Sequence, residues 1–207
     1  MTNTETTPTR RMTRRRCTGR VRSLVFAVAL ALLIGTPADA APPYTTVDMT
    51  VEIPDVTLID QDAQLVTLEE LVDGNEVVMV DFIFGTCTTI CPILSAGFSN
   101  LQRRMGSGPG GPTLISFSID PEHDSPEIMA KYLKRYRAQP GWSFLTGDRD
   151  DIDKIMHAFD AYVPDKMSHQ PVTFIKAGAS NRWVKIDGLV STADLIAELE
   201  KIQGGES

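Results

Sequence analysis

Apolar and polar positions follow two different periods along the chain, which predict strands and helices in turn. Two nearly continuous apolar runs, residues 77–84 and 113–119, are typical of strands that are buried on both faces of a sheet. Between them, apolar residues recur at helical spacing from Pro92 to Met105, and a proline is well suited to the first turn of a helix. The centre of the chain is therefore predicted to fold as strand, helix, strand.

The rest of the chain continues this alternation. Further strands are predicted at residues 142–145, 172–175 and 183–186, further helices at 125–138, 148–161 and 192–202, and shorter elements at 51–59 and 67–72. Short connections between alternating strands and helices imply a mainly parallel sheet flanked by helices. A strand, a Cys-x-x-x-Cys turn, a helix, and a late strand pair with a closing helix together resemble the thioredoxin-like arrangement. We therefore predict one α/β domain, a thioredoxin-like mixed sheet flanked by helices, over residues 50–203, preceded by a linker at 41–49.

The first 40 residues differ in composition from the rest. Seven of the 20 basic residues fall within the first 22 positions and precede an apolar run of 11 residues, 24–34. A membrane-spanning helix needs about 20 apolar residues, so this run fits the hydrophobic region of a secretory signal peptide. We predict cleavage after Ala40 and export to the periplasm or another extracytoplasmic space. The alternatives are an uncleaved membrane anchor through residues 24–34 and a twin-arginine signal.

The balance of charge argues against one class of partner. The whole chain carries 20 basic and 27 acidic residues, a net charge of −7. The leader holds seven basic and two acidic residues, so the remaining chain has 13 basic against 25 acidic residues, a net charge of −12. Nucleic-acid binding needs clustered Lys and Arg. An acidic surface instead attracts cations and repels nucleic acid and anionic membranes.

The positions of the cysteines indicate one site. Of the three cysteines, Cys17 lies in the leader, so the exported chain keeps Cys87 and Cys91. Both lie where a buried strand passes into a helix, and there backbone N–H groups and the helix dipole stabilise a thiolate. A thiolate is both the nucleophile of disulfide exchange and the metal-binding form of cysteine. The pair therefore predicts a redox or a metal site, against the alternative of two small buried hydrophobic residues.

Three histidines are candidates for completing such a site. Two thiolates suit Cu(I), and an added imidazole gives a three-coordinate set that also tolerates Cu(II). His157 lies on a predicted helix, where a surface or helix-packing role is expected. His123 lies on a polar loop whose Asp120 and Asp124 are expected to turn the chain and cap the next helix. His169 precedes a predicted strand, and in a thioredoxin-like fold the loop before that strand packs against the cysteine turn, so His169 is the best third ligand.

Two sequence motifs resemble those of a known family. The segment FGTCTTICP contains Cys87 and Cys91, the segment SFSIDPEHDSP spans residues 116–126, and His169 follows before a strand. With these motifs, residues 50–203 are similar to the Sco/SenC copper chaperones. The resemblance implies a thioredoxin-like fold, binding of Cu(I) and Cu(II) by two cysteines and one histidine, and assembly of the binuclear copper centre of cytochrome c oxidase. By motif position, the implied copper ligands are Cys87, Cys91 and His169.

Two functions from different classes are consistent with these residues. The first is a metallochaperone that passes copper by ligand exchange to the copper-bearing subunit of cytochrome c oxidase. The second is an enzyme, a thiol-disulfide oxidoreductase with a redox-active disulfide between Cys87 and Cys91, which keeps the cysteines of an acceptor reduced. Pro171, directly before a predicted strand, is similar in position to the cis-proline of thioredoxins and favours the second function.

Overall fold

The computed structural model describes residues 43–73, 77–178 and 181–204. The predicted leader, its cleavage site after Ala40 and the apolar run at residues 24–34 lie outside these ranges. Within the described ranges, no helix combines the length and the apolar character needed to cross a membrane.

In the described ranges, strands and helices alternate along the chain. The strands are β1 (Tyr44–Thr50), β2 (Thr57–Ile59), β3 (Leu65–Thr67), β4 (Val77–Ile83), β5 (Thr113–Ser118), β6 (Trp142–Leu145), β7 (Val172–Ala177) and β8 (Arg182–Gly188). The helices are α1 (Leu68–Val72), α2 (Cys91–Met105), α3 (Pro126–Arg135), α4 (Arg149–Ala158) and α5 (Thr192–Gly204), and Lys166–Ser168 form a 3-10 turn. All strands and helices predicted after residue 76 are present, some with different ends.

Six strands form one mixed sheet in the order β1-β8-β7-β4-β5-β6, and β2 pairs with β3 in a separate antiparallel ribbon. The pairs β4–β5 and β5–β6 are parallel, whereas β4–β7, β7–β8 and β1–β8 are antiparallel. The predicted mixed sheet is confirmed, but the expectation of mainly parallel pairing is wrong. The strands β7 and β8 follow each other too closely for a parallel crossover, which takes a dozen or more residues.

The prediction of a linker at residues 41–49 is wrong for most of its length. Residues Tyr44–Thr50 form β1, an edge strand that pairs antiparallel with β8. Tyr44 and Met49 are its half-buried residues, and the others are exposed. An edge strand with so little buried surface carries no alternating hydrophobic signal, which explains why the sequence pattern missed it.

Two helices end earlier than their hydrophobic pattern predicts. The helix α3 ends at Arg135 rather than near residue 138, and Arg137 follows it with a φ of 56°. In the same way, α4 ends at Ala158 and is followed by Asp160 with a φ of 50°. A residue in the left-handed region stops a right-handed helix, whatever apolar residues come next.

An aromatic cluster holds the centre of the sheet. The ring of Phe82 in β4 lies 5.5 Å from that of Phe117 in β5 and 5.9 Å from those of Phe159 and Phe174. All four side chains are buried, and tilted or edge-on ring pairs stabilise a core beyond the area that they bury. This packing fixes β4 and its neighbours close to the point where β4 ends.

Strand directions bring three loops to one edge of the sheet. The parallel strands β4 and β5 both end at this edge, and β7, which is antiparallel to β4, begins there. The loops are the cysteine turn (residues 84–90), the β5–α3 loop (residues 119–125) and the histidine loop (residues 165–171). In open α/β sheets, ligands bind outside the carboxyl ends of the parallel strands. A mixed sheet flanked by helices, with a Cys-x-x-x-Cys turn between β4 and α2, confirms the predicted thioredoxin-like fold.

Candidate metal centre

The cysteine turn connects the end of β4 directly to the first residue of α2. The backbone N–H of Cys87 donates to the carbonyl oxygen of Phe84 at 3.1 Å, which tightens the turn. Cys91 is the first residue of α2, and Pro92 follows it. Proline has no backbone N–H, which suits the first helical turn because an N–H there would have no partner within the helix. Both cysteines are free thiols, with Cys91 fully buried and Cys87 9% exposed. Cys87 is therefore the more accessible of the two cysteines.

The pKa values of the two thiols are shifted in opposite directions. Burial opposes ionisation of Cys87, but hydrogen bonds from the thiol and backbone N–H of Cys91 and from Thr89 hold the pKa of Cys87 below its usual value. The Thr89 hydroxyl oxygen lies 3.7 Å from the Cys87 sulfur. Burial, followed by the hydrogen bond to Cys87, raises the pKa of Cys91. Cys87 is therefore the better nucleophile, and Cys91 is the thiol that donates to it.

His169 lies in the histidine loop directly after the 3-10 turn, and its side chain is buried. Its Nε2 lies 2.7 Å from the carbonyl oxygen of Phe82. Because a carbonyl oxygen can accept but not donate, Nε2 carries the proton and Nδ1 of the neutral ring carries the lone pair. Burial lowers the pKa of His169, and the hydrogen bond to Phe82 opposes this shift in part. A neutral imidazole is the form that binds a metal ion.

The structure brings the three predicted ligands to the same edge of the sheet, although not yet into one coordination shell. His169 donates to Phe82, which lies five positions before Cys87 at the end of β4. Among the described residues, the ligand atoms of Cys87, Cys91 and His169 do not all lie within 4.8 Å of one another. Two sulfurs and one imidazole fit copper in either oxidation state. Binding of one ion by all three therefore requires these side chains to move closer together.

A second group of potential ligands lies in the β5–α3 loop. Asp120, Glu122 and His123 offer ligand atoms within 4.8 Å of one another. Their charges are already paired, because Asp120 accepts from Lys166 and from Nδ1 of His123 at 2.9 Å, and Glu122 accepts from Arg149. The pKa of Asp120 is low despite its burial because of these hydrogen bonds, and Arg149 lowers the pKa of Glu122 to about 2. A cation at this position would have to displace two basic side chains.

Two further predictions about single residues have different outcomes. His157 is exposed on α4 and stacks on Tyr162 with ring centroids 4.2 Å apart, so its predicted surface role is confirmed. The expected similarity of Pro171 to the cis-proline of thioredoxins is not found, because no peptide bond in the described ranges is cis.

Asp124 has a different role from the one predicted. The sequence predicts that it caps α3, but that helix begins without a side-chain cap. Its carboxylate instead accepts the backbone N–H of Gly85 in the cysteine turn, at 3.1 Å from each oxygen, and the hydroxyl of Ser118 at 2.5 Å. The expected turn of the β5–α3 loop comes from the backbone, where His123 and Asp124 donate to the carbonyl of Asp120.

Asp81 is a buried carboxylate that the hydrophobic pattern of the sequence does not single out. It lies inside β4, is fully buried, and neither of its oxygens is hydrogen-bonded to a described residue. Burial raises the pKa of Asp81 to about 7, and the hydroxyl of Ser116, opposite on β5, offsets this shift in part without reaching hydrogen-bond geometry. The charge of Asp81 in turn contributes to the raised pKa of Cys91. An ionisable residue within the apolar run 77–84 is the signal that could have found it.

Comparisons with known proteins agree on one family. The family model SCO1/SenC matches residues 46–203. A SCO1 protein homologue from Bacillus subtilis (strain 168) is 32% identical over 160 residues, which are 72% of this chain and 81% of that relative. A solved structure of BsSco, described as a Sco family cytochrome c oxidase assembly protein with a disulfide switch, has a TM-score of 0.62 at 30% identity, covering 75% of this chain and 95% of that one. Bradyrhizobium japonicum ScoI, solved with copper bound, has a TM-score of 0.58 at 25% identity, covering 72% of this chain and 97% of that one.

Proposed function

This chain belongs to the SCO1/SenC family, and from that premise we propose that it is a metallochaperone that delivers copper to the binuclear copper centre of cytochrome c oxidase. Copper is the cargo, bound by the sulfurs of Cys87 and Cys91 and by Nδ1 of His169. The observation that supports this most is that a pair of free thiols and a buried neutral imidazole lie at the same edge of the sheet. Two soft sulfur ligands and one nitrogen ligand suit copper in both oxidation states.

Loading of copper is expected to release protons. The pKa of Cys87 is already lowered, whereas the proton of Cys91 is held by burial and by its hydrogen bond to Cys87. A metal ion binds the thiolate, so the Cys91 proton leaves when copper enters. Copper affinity should therefore rise with pH.

The position of the ligands favours transfer to an acceptor. Three ligands leave a copper ion accessible, so a thiolate of the acceptor subunit can bind before a ligand of the carrier leaves. Cys87 and Cys91 are fixed between β4 and α2, whereas His169 follows a single 3-10 turn. The imidazole is therefore the ligand that can leave without moving the core.

A second candidate function, reduction of an acceptor disulfide, is supported by the opposite pKa shifts of the two thiols. In this reaction the Cys87 thiolate attacks the disulfide, forms a mixed disulfide, and releases one acceptor thiolate, which takes up a proton. Cys91 then loses its proton and attacks the Cys87 sulfur, which releases the second acceptor thiol and leaves a disulfide between Cys87 and Cys91. Two electrons pass to the acceptor. The two functions are compatible, since an acceptor binds copper through reduced cysteines.

A copper titration of the reduced, purified protein tests the first function. With Cu(I) supplied from a coloured chelator, we expect about one copper per chain, the ratio for a single three-ligand site. Replacing either sulfur, in Cys87→Ser or Cys91→Ser, should abolish tight binding. Loss of a direct ligand in His169→Ala should weaken binding by about a hundredfold or more, beyond the effect of removing an outer-shell partner. His157→Ala is the matched control and should bind like the parent, and His123→Ala should weaken binding far less than His169→Ala.

Two results would contradict parts of this proposal. If the reduced protein binds no copper but reduces disulfides with turnover, the chaperone function is contradicted and the oxidoreductase function is supported. Equal copper affinity in His169→Ala and His123→Ala removes His169 from the ligand set.

Export is a separate part of the proposal. The basic leader and the short apolar run at residues 24–34 support secretion and cleavage after Ala40. The protein recovered from the extracytoplasmic fraction should then have a mass that corresponds to a chain beginning at Ala41. An uncleaved mass in the membrane fraction would instead support anchoring through residues 24–34.

A further inference from the structure

The β5–α3 loop is in contact with the cysteine turn on one side. The carboxylate of Asp124, 1% exposed, accepts the backbone N–H of Gly85 at 3.1 Å from each oxygen. It also accepts the hydroxyl of Ser118, so both of its oxygens are held in place. A Cβ atom at position 85 would lie 2.6 Å from Oδ1 of Asp124, which explains why a glycine stands there. The loop is thus attached to the segment that carries the thiols.

The same loop is in contact with the histidine loop on its other side. Asp120, 3% exposed, accepts from the ammonium group of Lys166, the first residue of the 3-10 turn that leads to His169. The Lys166 nitrogen also lies 5.6 Å from the ring centroid of Phe84, in the cysteine turn, where the cation faces the aromatic ring. One lysine therefore joins all three loops at this edge of the sheet.

We propose that Lys166 and Asp120 are positioning residues that hold His169 close enough to Cys87 and Cys91 to bind copper with them and to release it. This inference rests on the proposed function. The 3-10 turn is three residues long, and such short turns have poor internal hydrogen-bond geometry. The backbone bond from His169 to the Lys166 carbonyl is correspondingly long, at 3.3 Å. Asp165 accepts the N–H groups of Met167 and Ser168 at 2.9 Å, which closes the turn locally, and the ion pair to Asp120 ties the turn to the neighbouring β5–α3 loop.

The burial of the pair makes this restraint effective. The Asp120 side chain is 4% exposed and that of Lys166 is 33% exposed, so the contact is shielded from water and salt on one side. Asp120 is itself held, since its backbone N–H donates to the hydroxyl oxygen of Ser118 and Nδ1 of His123 donates to its carboxylate. The pair ties the histidine loop to a loop that Asp124 already fixes against the thiols.

The test is the rate of copper release from the copper-loaded, purified protein. In Lys166→Met, we expect release to a chelator to be faster by about tenfold or more, within the range found when outer-shell partners of metal ligands are removed. The nitrogen coupling in the electron paramagnetic resonance spectrum of the Cu(II) form should weaken, while about one copper per chain still binds. Lys166→Arg keeps the charge and should restore both properties. Asp120→Asn combined with Lys166→Met should equal the single change, because one contact is lost in either case.

The control is Lys154→Met, which breaks an exposed ion pair with Asp151 in α4 and should leave release and spectrum unchanged. If the parent binds copper but Lys166→Met releases it at the parental rate with an unchanged nitrogen signal, the positioning role is wrong and the proposed function stands. A loss of thermal stability with an unchanged spectrum also overturns the positioning role, since it shows a purely structural contact. If the parent itself binds no copper, the proposed function fails first.

Discussion

The two halves of the site are built in different ways. The cysteine half joins β4, buried along almost its whole length, to a 15-residue helix. The histidine half is a three-residue 3-10 turn followed by His169, held by the Lys166–Asp120 ion pair and by the hydrogen bond to Phe82. Packing therefore fixes the thiols, whereas a few polar contacts fix the imidazole. The difference indicates that the histidine half is the one that adjusts when copper enters or leaves.

The halves also respond to pH in opposite directions. In the cysteine half, burial raises the pKa of Asp81 to about 7, so between its ordinary pKa and 7 the folded state binds more protons than the unfolded state. The free energy of unfolding then falls as pH rises through this range. In the histidine half, burial lowers the pKa of His169, so the unfolded state binds more protons and stability falls as pH drops below 6.5. Measurements of stability against pH can therefore test the halves separately.

The largest effect is expected from Asp81→Asn. The pKa of its carboxyl group rises from 3.8 to about 7 on folding. Since one pKa unit is worth about 1.4 kcal/mol, the free energy of unfolding falls by roughly 4 kcal/mol once the carboxyl group of the folded protein has ionised. An amide cannot ionise, so the variant should gain stability relative to the parent as pH rises from 5 to 8. Urea unfolding of the reduced proteins at several pH values measures this difference.

The control for this prediction is Asp150→Asn, at an exposed position in the first turn of α4. Its stability should run parallel to that of the parent across the same pH range. A stability difference between Asp81→Asn and the parent that is constant with pH would show that Asp81 does not titrate in the folded protein, and the proposed contrast between the halves would be lost.

An intermediate effect is expected from filling the space at Gly85. An added Cβ would lie 2.6 Å from Oδ1 of Asp124 and 3.0 Å from Cγ2 of Ile128, so Gly85→Ala should destabilise the protein by about 1–3 kcal/mol. Gly97→Ala, within α2, is the matched substitution, because nothing lies within 4 Å of its Cβ. It should stabilise the helix by up to about 1 kcal/mol. Equal changes in thermal midpoint for the two variants would contradict the tight contact between the cysteine turn and the β5–α3 loop.

The sequence predicts the cysteine half better than the histidine half, for physical reasons. A strand buried on both faces leaves a continuous apolar run, and Pro92 after Cys91 marks the start of a helix, so β4, the turn and α2 could be placed. The edge strand β1 could not, because it buries too little surface to leave a pattern. Cys87, Cys91 and His169 could be named as candidate ligands because their chemistry is visible in the residue types.

Contacts between distant residues could not be predicted in this way. Lys166 and Asp120 are 46 positions apart, and they meet because β5 ends at the edge of the sheet where β7 begins. Asp124 is a good capping residue by type, yet Gly85 offers it a buried N–H that the sequence pattern cannot show. The raised pKa of Asp81 likewise depends on its burial, with no hydrogen-bond partner for its carboxylate among the described residues. These features depend on the three-dimensional neighbours of each residue rather than on local periodicity.

The smallest effect on stability is expected from His169→Gln, which tests the histidine half without copper. Glutamine can still donate to the Phe82 carbonyl, so at neutral pH the change should stay within about 1 kcal/mol, the net value of one hydrogen bond. As pH falls below 6.5 the parent should lose stability that the variant retains, because the buried imidazole gains its proton more easily after unfolding. His157→Gln, which replaces an exposed ring on α4, should lose stability in acid as the parent does. If His169→Gln loses stability in acid as steeply as the parent does, His169 is not held as a buried neutral ring, and the histidine half is more open to water than its contact with Phe82 indicates.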